Sequence, residues 1–340
     1  MLARTAVEAL TVLDLAMAQR VWLAGLLTLA SCFADNGKVA QPPHQPPPKD
    51  PTPHGKDYSA TIADPLGFLP ADSEIVFGLD VDSVRRSTLG PPLAARLAEL
   101  GGTELTLFKQ TCGFDPMTTV HAITLGIKNV KQATPDGVIV VHGLDRPQLT
   151  NCMSRAQSRD PKVVTIQNGI VEINNRDPNK PDGSKVVFAF VDASTVVGVI
   201  GPTANRDRLQ TVLASGVPLR SSLSFVELIK LTDLESSLWG VINGASSVFD
   251  QVAGLGMRPK AVFGSLTLAN GMSIAMRLRL ESPAQATQLQ QLANGQVGMA
   301  RSMFEKLDIT TDNADVVVAA AMNDQQLTAI LSLAGVSLGP

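Results

Sequence analysis

Three cysteines, four histidines and a few closely spaced acids are the residues whose types allow chemistry beyond packing. Cys32, Cys112 and Cys152 contain no C-x-x-C pair, so the spacing of a zinc or dithiol site is missing. His121 and His142 fall in two neighbouring expected strands, where two imidazoles could share a metal. No third ligand accompanies them, and structural roles are expected. Asp80 and Asp82 sit on one side of an expected strand, where paired carboxylates could hold a cation or share a proton; a solvated face or turn cap is expected instead. Asp115 precedes Pro116 and reads as a turn or helix cap. Arg85, Arg86 and Ser87 could meet an anion but read as a solvated helix approach, and Ser246 lacks the flanking glycines of a nucleophile elbow. Walker-type, H-E-x-x-H and dinucleotide-binding motifs are absent. No catalytic, cofactor-binding or metal residue is assigned.

Cys32 stands in different surroundings. Arg20 precedes an apolar run, Val21–Ala30, that is interrupted only by Gly25 and Thr28, and small residues follow. That is the layout of a secretory signal, and the run falls short of the roughly 20 apolar residues that span a bilayer. Leu29, Ala30, Ser31 and Cys32 resemble the lipobox of bacterial lipoproteins. The resemblance implies cleavage between Ser31 and Cys32, a diacylglyceryl group on the Cys32 sulfur and an acylated amine. Each buried CH₂ contributes about 0.8 kcal/mol, so one chain holds a protein marginally and two or three hold it stably. Residues 1–31 are therefore expected to be a signal peptide. Glu8 and Asp14 suit export badly, so translation is expected to begin at Met17 or residues 1–16 to be dispensable.

From Cys32 to about residue 64 the chain changes character. Pro42, Pro43, Pro46, Pro47, Pro48, Pro51 and Pro53 favour polyproline II, which extends about 3.1 Å per residue and acts as a semi-rigid tether. His44 and His54 lie in that tract as solvated linker residues. Phe33, where Asp would retain a lipoprotein at the inner membrane, implies the outer membrane of a bacterial envelope. Export also places Cys112 and Cys152 in an oxidising compartment, where they form either a bridge or two buried thiols.

The whole chain is 44% hydrophobic and 17% charged, which is ample core material. A net charge of -3 supplies no basic field for nucleic acid, and 4% aromatic residues leave few platforms for stacking bases. Alternating apolar residues predict strands over Glu74–Val84, over "HAITLGIKNV" and "DGVIVVHGL", and through "KVVTIQNGIVEINN", "KVVFAFVD" and "STVVGVIG". Helices are expected at "GPPLAARLAEL", after Asp145 and at "NRDRLQTVLASG". A similar order recurs from "SLWGVING" onward, with an Asn270–Gly271 hairpin and a long helix from Ser282 through "MFEKL". "DITTDNADVVVAAAM" and "NDQQLTAILSLAG" follow as strand and helix.

The expected class is α+β: antiparallel sheet with helices packed on one face. Residues 65–216 and 236–340 are expected to be two similar strand–helix–hairpin–helix–strand–helix repeats, joined by a connecting segment at 217–235. Segments of the type "LPADSEIVFGLDVDSVRRS" and "GFDP" resemble uncharacterised bacterial envelope lipoproteins over most of 66–340. That resemblance carries no chemistry and no enzyme family. The expected function is a lipid-anchored, non-enzymatic envelope protein that binds a protein or surface component. The alternatives are a periplasmic carrier of an apolar ligand, held between sheet and helices, and an enzyme with an unrecognised site.

Overall fold

Strand alternation and side-chain caps together set the architecture. The computed structural model describes residues 64–333, apart from 93, 96–105, 107, 133, 175–184, 216–217, 252–257 and 299. Within them the strands are β1 Ile75–Asp80, β2 Ala122–Lys128, β3 Asp136–His142, β4 Val164–Gln167, β5 Ile170–Asn174 and β6 Lys185–Phe190. They continue with β7 Thr195–Gly201, β8 Leu238–Asn243, β9 Ala261–Thr267, β10 Met272–Arg279, β11 Lys306–Asp312 and β12 Asp315–Met322. The helices are α1 Val81–Arg86, α2 Pro116–Thr119, α3 Arg146–Arg159, α4 Arg206–Ser215, α5 Leu223–Lys230, α6 Pro283–Gln296 and α7 Asp324–Leu333.

All twelve strands join one sheet, in the order β11-β12-β10-β9-β8-β1-β2-β3-β7-β6-β5-β4. Every neighbouring pair runs antiparallel. The α+β class with a large antiparallel sheet is thus as the alternation requires. Segments 65–216 and 236–340 share this sheet through the pairing of β1 with β8.

Two expectations need correction. Helices cover both faces, because both phases of the alternation are apolar. Val138, Val140, Val187, Val197 and Val199 pack with Leu209 of α4 and Phe225 of α5. Their neighbours Val186, Phe188 and Val196 pack on the other side with Leu149, Cys152 and Met153 of α3. The segment 217–235 is also more than a connection: α5 buries Phe225, Leu228 and Ile229 in the first of these cores.

Local chemistry decides several boundaries. The strand expected through Val84 stops at Asp80, whose carboxylate accepts the Ser83 N–H at 2.9 Å and caps α1. Asp145, Ser282 and Asn323 cap α3, α6 and α7 in the same way. The long helix expected through "MFEKL" ends at Gln296, and Lys306 already belongs to β11. Asn270 and Gly271 take positive φ in the β9–β10 turn, as a tight hairpin requires. The helix expected at 90–100 lies largely outside the described residues.

Gly78 matters at the junction of the two segments. It faces Trp239 across the β1–β8 pair, and a Cβ there would lie 2.3 Å from the indole ring. Trp239 is buried in the first core. Gly78→Ala is expected to cost about 1–3 kcal/mol through overpacking. Combined with Trp239→Leu it should cost less than the sum of the two changes, because the shorter side chain relieves the clash. Denaturant unfolding of the four members of this cycle measures the coupling, and additive costs would contradict the contact.

Candidate functional site

The sequence-selected polar residues gather most closely around Asp82. Its Oδ2 lies 2.8 Å from His121 Nδ1, and its Oδ1 accepts from Arg85 Nη1 at 2.5 Å. Arg85 Nη2 also donates to the carbonyls of Met117 and Val120, at 3.1 and 2.7 Å. The clasp therefore ties α1 to α2 and to the start of β2. Asp80 takes no part, because capping α1 occupies it. The His121 imidazole is largely exposed, and its side-chain partner is Asp82.

His142 is next to His121 in the backbone, since the His121 N–H donates to the His142 carbonyl at 2.8 Å. Their side chains part because the pleat alternates, and His142 Nδ1 meets Thr195 Oγ1 at 3.1 Å. Burial holds the His142 imidazole below its ordinary range, against the opposing pull of the Asp192 carboxylate. Among the described residues no cluster of three or more His, Cys, Asp or Glu side chains could hold a metal ion.

The remaining sequence-selected residues have structural work. Asp115 caps α2 by accepting the Met117 N–H at 2.9 Å, and pairs with Lys109. Ser246 is buried and donates to Glu74 Oε2 at 3.2 Å. Glu74 also accepts the Asn129 N–H at 2.6 Å, so one carboxylate spans loops from both segments. Arg86 lies in the last turn of α1, and Ser87 closes that turn onto the Val84 carbonyl. Cys112 and Cys152 are joined by a disulfide with Cα atoms 4.6 Å apart, between the segment before α2 and helix α3. Ser31, Cys32, His44 and His54 lie outside the described residues.

Sequence reasoning passed over the most buried ion pair among the described residues. Asp136, 2% exposed, accepts at Oδ1 from the Thr203 N–H and hydroxyl at 3.1 and 2.7 Å and from Arg208 Nη1 at 3.1 Å. Its Oδ2 accepts from Asn129 Nδ2 at 3.2 Å. Burial pushes this carboxyl up, but the Thr203 bonds, Asn129 and Arg208 outweigh it and leave it below the usual carboxylate range. The single signal in the sequence was an Asp opening an apolar strand. Nothing adjacent named Arg208, which is 72 residues away. The site staples the β2–β3 loop to the β7–α4 loop.

No helix among the described residues is long and apolar enough to cross a membrane. No protein-family model and no curated protein matches the chain. Two solved structures are similar to it. Crystal form III of TP0453 has a TM-score of 0.51 and 12% identity, covering 79% of this chain and 98% of that one. Crystal form I of TP0453 gives 0.46 and 13%, covering 79% and 97%. At such identity the likeness to crystal form III shows a shared fold alone, spanning nearly the whole of that chain.

Proposed function

We propose that this chain is a lipid-anchored envelope protein whose α+β domain binds another protein or surface component without catalysis, at the bacterial outer membrane. The observation that carries the reading is Leu29–Ala30–Ser31–Cys32 between an apolar run and a proline-rich tract. The fold supports it where the tether ends. Asp64 pairs with Arg220, and Leu66, Phe68 and Leu69 are fully buried under α4 and the turn at Leu219–Ser221. The first described residues are thus fixed in the core, which suits a body held at the end of a spacer. Asp80, Asp82, Asp115 and Ser246 are engaged in caps and clasps, which favours binding over catalysis. Cross-linking in intact cells, followed by detergent extraction, is expected to recover one recurrent partner. Repeated recovery of nothing would contradict the binding role.

A second reading, carriage of an apolar ligand, is favoured by one row of side chains. Leu79, Leu238, Leu266 and Ile274 line up across β1, β8, β9 and β10. Leu238 is 38% exposed although its strand is central in the sheet. Mass spectrometry of an organic extract of the purified protein would detect bound lipid, and a clean extract would set this reading aside.

We also infer that 65–216 and 236–340 are copies of one plan. Counted outward from the centre, β1, β2, β3, β7 and β6 correspond to β8, β9, β10, β12 and β11. Helices α3 and α6 follow the third strand of each set, and α4 and α7 follow the fourth. The β4–β5 hairpin has no counterpart among the described residues. If one rotation in an experimental structure fails to superpose α6 on α3 together with the five strands, the inference is wrong.

A further inference from the structure

Four described Asn–Gly pairs occur in the chain: 168–169, 243–244, 270–271 and 294–295. Such pairs can cyclise when the glycine amide reaches the asparagine side chain, because glycine offers no steric shield and wide backbone freedom. We propose that Asn168 is a site of spontaneous deamidation and that the fold protects the other three. The Gly169 nitrogen attacks Cγ of Asn168, the new N–Cγ bond closes a succinimide, and the Cγ–Nδ2 bond breaks. The amide proton leaves with the departing nitrogen as ammonia. Water then opens either imide carbonyl, giving aspartate or isoaspartate, with no oxidant or reductant.

The structure distinguishes the four pairs through the room around the glycine or, at 294–295 where the glycine is also open, through what holds the asparagine. Asn168 and Gly169 form the exposed two-residue turn between β4 and β5, with φ of 53° and 73°. In such a turn the ladder bonds belong to the flanking residues, Gln167 and Ile170, so the Gly169 N–H is not held by the hairpin. Nothing lies within 4 Å of the position a Gly169 Cβ would take, so the peptide has room to turn. Gly271 is buried, and its Cβ position lies 2.1 Å from the Met322 carbonyl. Gly244 is wedged 2.3 Å from the Lys260 carbonyl by the same measure, and Asn243 Oδ1 is held by the Ala245 N–H at 3.0 Å. Asn294 lies inside α6, its amide bonded to the Ile309 carbonyl and to Arg301.

The product would matter locally. Isoaspartate adds a backbone carbon to the tight turn that sets the β4–β5 register, and either product places a negative charge beside Gln167. Gln167 accepts from Arg206, which also bonds Glu172 and Thr165. The test is peptide mapping by mass spectrometry of the purified full chain, aged in mildly alkaline buffer, beside the same chain in denaturant. In the folded protein Asn168 should convert several-fold faster than positions 243, 270 and 294, while in denaturant the four should convert at similar rates. Asn168→Gln should abolish the early product and leave the other three positions unchanged. Conversion at 270 or 294 as fast as at 168 in the folded protein would overturn the assignment. So would an Asn168 that stays intact while the denatured chain reacts.

Discussion

Asp136→Ala is expected to destabilise the protein by about 3–5 kcal/mol, the cost of leaving one partner of a buried, hydrogen-bonded ion pair alone. Arg208, the Thr203 amide and hydroxyl and the Asn129 amide all converge on this carboxylate. Alanine satisfies none of them. The pH dependence has a definite sign. The folded carboxyl lies below its ordinary value, so the unfolded state binds the proton more readily. Its contribution is fully present above the unfolded value of about 3.9 and is lost as the pH falls through the folded value. Denaturant unfolding of wild type and Asp136→Asn as the pH is lowered should converge, because asparagine has nothing to protonate. A parallel offset down to the lowest pH would contradict the assignment.

Opening the Cys112–Cys152 disulfide is expected to cost about 3–4 kcal/mol on the chain-entropy account, since it closes a loop of roughly 40 residues. The two sulfurs lie inside the second core, with Cys152 at 0% exposure and Cys112 at 4%. The bridge joins the segment leading into α2 with α3, where Arg155 also donates to the Cys112 carbonyl at 3.3 Å. Reduction should therefore lower the denaturation midpoint. Cys112→Ala with Cys152→Ala should reproduce the loss and remove sensitivity to reductant. Equal midpoints with and without reductant in the wild type, or two thiols reactive in the unfolded, unreduced chain, would contradict the bridge.

The strands and caps were legible in the sequence because each signal is local. Ala122–Lys128 and Asp136–His142 announce themselves by their apolar content, and Asp145 and Ser282 by a cap followed by proline. Asn270–Gly271 likewise states its own turn. Layering was not legible, because β3, β6 and β7 are apolar in both phases and a sequence cannot say which phase meets which helix. "SLSFVELIK" was missed as a core helix: its serines and the Pro218 before it resemble a linker, while Phe225, Leu228 and Ile229 share one face only in helical spacing. The polar clasp was half legible. Asp82, Arg85 and His121 were each noticed, yet their meeting depends on the turn at Asp80 and on β1–β2 pairing. Asp136 with Arg208 and Glu74 with Ser246 join residues 72 and 172 positions apart, a distance no local pattern spans.

Mass spectrometry of the mature protein's first peptide, purified from membranes, bears most directly on the proposed anchoring. The account predicts that the chain begins at Cys32, with a diacylglyceryl thioether on its sulfur and an acyl group on its amine. A peptide running unbroken through Ser31 and Cys32, or a Cys32 that carries a free thiol, would contradict it.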